Sequence, residues 1–134
     1  MTTETVAGQQ KWWIRLPYLR PPLSLNDRPH WRTRARITKQ LRAETATLAR
    51  AHRVGRHQRI HVELVYRPAY ARHRDADNTV PTLKPCIDGL VDAGVIPDDT
   101  PEHVEWTITI KPADSDRPAV WLVVKPVAAQ GVSG

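Results

Sequence analysis

Residues 72–78 read RHRDADN and set Asp75 and Asp77 two positions apart. In an extended backbone such residues point to the same side, so the two carboxylates would converge. Their mutual repulsion is relieved by a hard divalent cation, and Mg²⁺, or Mn²⁺ in its place, suits all-oxygen ligands. Downstream, Lys84 stands alone among eight acidic residues between Asp75 and Glu105. An isolated cation beside a metal site is suited to hold a phosphate or to stabilise charge in a transition state. Its bland alternative is an i,i+4 partner for Asp88.

These residues need elements to aim them. The segment KWWIRLP alternates Trp12, Ile14 and Leu16 with Trp13 and Arg15, and RIHVELVY repeats the pattern with Ile60, Val62, Leu64 and Tyr66 on one side. VEWTITI does so again through Val104, Trp106, Ile108 and Ile110. Period two predicts three strands, and the apolar run AVWLVV a fourth, central one. Ile37, Leu41 and Leu48 predict a basic amphipathic helix that stops near Gly55. Leu83, Ile87, Leu90 and Val91 predict a second helix, capped by Gly94, with Lys84, Asp88 and Asp92 on another face. The segment PADSDRP reads as a hairpin loop. The expected fold is therefore a single α+β domain, β-α-β-α-β-β, with two helices on a four-stranded mixed or antiparallel sheet. Its body spans 11–125, between loose tails at 1–10 and 126–134.

The chain has 134 residues, a net charge of +6 and a pI near 10.0. Charge is segregated along it. Lys11 to Arg74 holds sixteen basic residues against three acids, whereas Asp75 to Glu105 holds eight acids against Lys84. A basic surface favours a polyanion such as DNA; an acidic segment beside it fits only if a cation intervenes. Phosphate contacts are expected from Arg32, Arg34, Arg36 and Lys39 on the first helix and from Arg72 and Arg74 beside the acids. One cysteine excludes an intrachain disulfide, and no apolar run suits a signal or a membrane span. These features predict a cytoplasmic protein with no membrane partner.

Taken together, DADN, then Lys84 and Asp88 on a helix, then the PDD of residues 97–99, resemble the signature of the RusA-type Holliday-junction resolvases. The segment LRPPLSLNDRPHW is similar to that family's opening. The likeness runs from about Lys11 to Glu105 and into the closing strands. It implies that Asp75, Asp77 and Asp99 are metal-binding catalytic carboxylates and Lys84 an essential lysine, with Asp88 and Asp98 as accessory acids. It also implies a homodimer that nicks a four-way DNA junction in paired, symmetric fashion, in recombination, repair or phage DNA processing, without a nucleotide cofactor. Compared with the family's founding pattern, about three extra residues separate DADN from Lys84. Pro81 suits the first turn of a helix, which would leave the insertion in a loop at 78–80, while Pro85 strains that turn.

Other functions fit parts of the same sequence. A non-catalytic junction- or DNA-binding protein accounts for the charge, and a nuclease for other branched DNA accounts for the acids. The six histidines lack ligand spacing, which speaks against zinc, and DADN lacks the glycine and closing glutamate of a calcium loop. Trp31 is expected in the core rather than stacked on a base; Trp12, Trp106 and Trp121 are expected as packing residues and Cys86 as a small buried one.

Overall fold

A computed structural model of the chain describes residues 2–6, 9–25, 30–71 and 76–128, with backbone alone at 2–6, 9, 76 and 77. The strands are β1 (Thr2–Val6), β2 (Gln9–Arg15), β3 (Ile60–Arg67), β4 (Val104–Ile110) and β5 (Ala119–Pro126). The helices are α1 (Trp31–Ala51) and α2 (Val80–Asp92), and a 3-10 turn covers Ala76–Thr79. From β2 onward the order is the expected β-α-β-α-β-β of an α+β domain, and the sheet is mixed.

One further strand, β1, pairs antiparallel with β2, so the segment expected as a loose tail begins with an edge strand. Its Thr- and Val-rich sequence suits a strand even without apolar alternation. At the other end, Pro126 still belongs to β5 and the Val127 amide donates to the Arg59 carbonyl at 3.0 Å. Residues 129–134 of the expected closing tail lie outside the described residues.

The sheet order is β1-β2-β5-β3-β4, with β5 central as expected. Only β3 and β4 run parallel, joined by α2 as a crossover; the other neighbours are antiparallel. The segment PADSDRP is therefore not a hairpin. β3 lies between β4 and β5, and residues 111–118 must pass the end of β3 to reach the centre. β5 pairs with the free edge of β3 instead of the outer edge of β4, which stays at the margin of the sheet.

Period-two patterning sorts the sheet faces as read. Trp12, Ile14, Ile60, Val62, Leu64 and Leu122 are fully or almost fully buried and share one cluster with Leu41 of α1 and Leu83, Ile87 and Leu90 of α2. Both helices thus cover one face. Each buried Leu or Ile contributes about 1.5–3 kcal/mol. Two expected packing residues depart from this pattern: Trp31, 67% exposed, begins α1 outside the core, and Trp106, 46% exposed, stands at the sheet edge.

Both helices end in the same two-bond motif. Gly94 donates to Val91 at 2.9 Å and Val95 to Leu90 at 3.0 Å, with Gly94 left-handed as expected. At the end of α1, Arg53 donates to Arg50 and Val54 to Ala49, so the left-handed cap is Arg53 rather than Gly55. Gly55 also has positive φ, two residues further on.

The helices touch where α1 offers the small residues Thr45 and Ala46. A Cβ on Gly89 of α2 would lie 2.5 Å from the Arg42 carbonyl oxygen and 2.9 Å from the Thr45 Cβ. Because the first obstacle is backbone, it cannot swing aside. Gly89→Ala gains about 1 kcal/mol of helix propensity but overpacks the contact, and a net loss of about 1–2 kcal/mol is expected. Urea unfolding measures it; an unchanged or raised midpoint would contradict this close packing.

Candidate functional site

The acid-rich segment meets the fold at the crossover. β3 ends at Arg67, the 3-10 turn holds the backbone of Asp77, and α2 begins directly after it at Val80. The turn packs against both α2 and β4. Pro81 lies in the first turn of α2, and Pro85 is accommodated within a continuous helix. The group that Pro85 leaves without an intrahelical donor is the Pro81 carbonyl, still inside the first turn. Between Asn78 and Lys84 only Thr79 precedes the helix, so residues 80–83 belong to α2 and not to a loop at 78–80. Asp75, Arg72 and Arg74 lie outside the described residues, as does the side chain of Asp77.

The proline-rich segment braces this turn. Thr82 of α2 donates its hydroxyl to the Leu23 carbonyl at 2.7 Å and accepts from the Leu23 amide at 3.2 Å, fully buried. Two residues on, the Leu25 amide donates to the Asn78 carbonyl at 2.9 Å. Tyr18 donates its hydroxyl to Glu44 and so ties the same segment to α1. Thr82 carried no visible signal in sequence, because a lone threonine on an apolar helix face reads as filler.

On α2 the Lys84 ammonium donates to Asp88 at 3.0 Å and also to Asp99. The return loop therefore folds back over α2 and brings Asp99 to the lysine. Lys84 is thus the i,i+4 partner of Asp88 and meets Asp99 of the loop as well. The lysine side chain is 65% exposed and that of Asp99 40%. Its hydrogen bonds to Asp99 and then to Asp88 raise the Lys84 pKa, and the same ammonium holds the Asp99 carboxyl below its ordinary range. Lys84 and Asp99 are therefore both charged near neutrality.

Asp98 does different work from its neighbour. Its carboxylate accepts from the Thr100 hydroxyl at 2.7 Å and the Thr100 amide at 3.0 Å, which lowers its pKa and pins the turn that presents Asp99. His103 fastens the loop's far end through Nδ1 and the Gln58 carbonyl, 2.8 Å apart. Asp92, the third polar residue on that stripe of α2, leaves the site: it receives a bidentate pair from Arg42 of α1 at 2.6 and 2.8 Å.

Beside the Lys84–Asp99 pair lies a cleft of about 220 Å³ between α2, the return loop and β4. Val80, Leu83 and Ile87 form one wall, Pro101, Val104 and Trp106 the other. Trp106 is a residue that strand periodicity misassigned. It points to the helix-covered face, but at an edge strand that face is only partly roofed. Its position on the outermost strand was the missing signal.

The basic residues expected to meet phosphate are on α1. Arg32, Arg36 and Lys39 are exposed and Arg34 is partly buried. The first turn of α1 holds no acid, and its cap is the His30 Nδ1, which accepts from the Arg32 amide at 3.1 Å. Arginine at the positive pole of a helix costs about 0.3–1 kcal/mol and concentrates positive potential there. Cys86 is fully buried and burial pushes its thiol up to about 12, so it packs as a neutral side chain, as expected. Among the described residues no group of three or more His, Cys, Asp or Glu side chains is placed to hold a metal, and no helix is long and apolar enough to cross a membrane.

The pairing has a pH signature. Since the Asp99 pKa is lowered by folding, the contribution of the pair is present above the unfolded-state value and is lost as pH falls through the lowered one. In Lys84→Met the Asp99 titration should move up toward the ordinary carboxylate range. Carbon-detected NMR of side-chain carboxyls follows it, and an unmoved Asp99 would mean that the pair does not form in solution.

No protein-family model matches the chain, and no significant match is found among curated proteins.

Proposed function

We propose that the chain is a Mg²⁺-dependent, structure-selective DNA endonuclease that resolves four-way junctions by paired nicks. The observation that carries this reading is the convergence of Asp99 and Asp88 on Lys84 at an open cleft, beside the turn that bears Asp77. The resemblance to RusA-type resolvases supplies the roles, and the basic α1 supports a DNA partner.

The chemistry of the site suits a hard divalent ion as far as its side chains are described. Asp99 is an ionised oxygen donor, exposed and already paired with a cation. Asp75 and Asp77 would complete the set, and Mg²⁺ or Mn²⁺ held there would supply an activated water and stabilise the leaving oxygen. Asp99 would then exchange its lysine partner for the ion. Lys84, still tethered to Asp88, would turn its ammonium to a non-bridging oxygen of the scissile phosphate. Arg32, Arg34, Arg36 and Lys39, with Arg72 and Arg74, would hold the backbone on either side. A homodimer would match the two-fold symmetry of the junction and so pair the nicks.

The Lys84–Asp99 pair also favours a second reading. As a permanent salt bridge it would tie the return loop to α2, and the protein would bind junctions or DNA without a metal and without cleavage.

A synthetic four-way junction with Mg²⁺ or Mn²⁺ separates the two. Symmetric nicks are expected, with Asp75→Asn, Asp77→Asn and Asp99→Asn each lowering the rate about 100-fold or more while binding persists. An intact junction with both metals, together with no heat of Mg²⁺ binding by calorimetry, would leave only the binding protein.

A further inference from the structure

The helices leave one face of the sheet uncovered, and its side chains follow the opposite parity from the core. Trp13 stands across from Val123, Arg15 from Trp121, and Trp121 from Val65. The two indoles meet edge to face at 6.2 Å between ring centroids. Val65 and Val123, on this same face, are almost fully buried, so the face carries a thin apolar layer of its own.

Cations are held against that layer. Lys11 and Lys111 lie 5.5 and 5.7 Å from the Trp13 ring centroid, and Arg67 and Arg15 lie 4.8 and 5.6 Å from that of Trp121. They come from β2, from the end of β3 and from just beyond β4, so the charge spreads across the sheet. At about 4.8 Å per strand, β2 to β4 covers roughly 14 Å. Both arginines are also fixed by carbonyls of the loop before β5: Arg67 donates to Arg117 and Arg15 to Pro118. Lys125 of β5 belongs to the same face, opposite His61.

The acids of this face are few or engaged. Glu105 is paired with Arg59 at 2.7 Å, and Glu63 accepts from the Thr109 hydroxyl. Glu4 of β1 stands opposite Lys11 in register. The surplus is positive, and it is made of side chains whose freedom is already reduced by ring contacts, which lowers the entropic cost of using them.

We infer that this uncovered sheet face is a second DNA-contact surface, which holds the phosphate backbone of duplex DNA away from the cleft. Two features of the face favour that occupant. A second copy of the chain would set cations against cations across a two-fold axis, which is unfavourable. Single-stranded nucleic acid binds such proteins mainly by stacking bases on aromatic rings, but each indole here already carries two cations. What the face presents to a ligand is charge, and charge reads a phosphate backbone without regard to sequence. The inference rests on the reading of the protein as DNA-binding, not on its being a nuclease.

The test is Lys11→Gln/Lys111→Gln, because these lysines lie against the rings and, among the described residues, their side chains make no hydrogen bond to the backbone. Binding of a blunt, fluorescein-labelled duplex is followed by anisotropy across a salt series. The affinity should fall about fivefold or more, and the slope of log K against log salt should become shallower by about 1.8, close to 0.9 for each lost cation. Circular dichroism and the heat of Mg²⁺ binding should match the wild-type protein. Unchanged affinity and slope would overturn the inference. So would a sedimentation change with duplex binding intact, which assigns the face to a second copy, or tighter binding to anionic vesicles than to duplex. Junction nicking with an unmoved slope refutes this surface alone; a shifted slope without nicking refutes the nuclease alone.

Discussion

The parallel pairing of β3 with β4 is the constraint on which the rest depends. Two parallel neighbours cannot be joined by a tight turn, so the chain must leave the end of β3, travel back along the sheet as α2 and turn again before β4. That route sets the acid-bearing turn, the lysine-bearing helix and the Asp99 loop in succession around one cleft. With β4 on one edge of β3, β5 pairs on the other, which makes the last strand central. Gly89 is the packing condition for this arrangement, since α2 can lie against α1 only where a side chain is missing.

Electrostatically, the site is a concentration of like charge held by one cation. Asp88 is delivered by helical periodicity and Asp99 by the loop, whose shape depends on Asp98 and Thr100 rather than on Lys84. The pair therefore has support from both sides. An exposed ion pair of this kind contributes little to stability, because solvent screens it and two side chains lose freedom. Its presence at the mouth of a cleft is easier to explain by the charge it keeps poised than by the fold. The same logic applies to the arginines at the start of α1, which stand where the helix dipole disfavours them.

The two faces of the sheet divide the molecule's surface chemistry. The covered face supplies the core and, where β4 runs out from under the helices, the wall of the cleft. The uncovered face carries indoles dressed with cations. Between them, the proline-rich segment acts as a brace: its described residues 16–25 form no helix or strand, and the Leu23 and Leu25 backbone groups find partners on α2 and on the turn before it.

Much of this was legible in the order of residues. Alternation at Trp12, Ile14 and Leu16 and at Ile60 to Tyr66 determined which side of each strand is buried, because a strand has a period of two and water is on one side only. Helical spacing placed Lys84 one turn from Asp88, and Gly94 marked the end of α2. Strand adjacency was beyond such reading, since periodicity describes a strand's faces and says nothing about its neighbours. That is why PADSDRP reads as a hairpin, residues 2–6 read as a tail, and Trp106 reads as a packing residue. Only tertiary structure could decide that Asp99 returns to Lys84, that Arg53 rather than Gly55 caps α1, and that Thr82 clamps a loop fifty-nine residues away in sequence. Each of these depends on partners distant along the chain, and a local pattern carries no information about which distant partner will satisfy a charge or an amide.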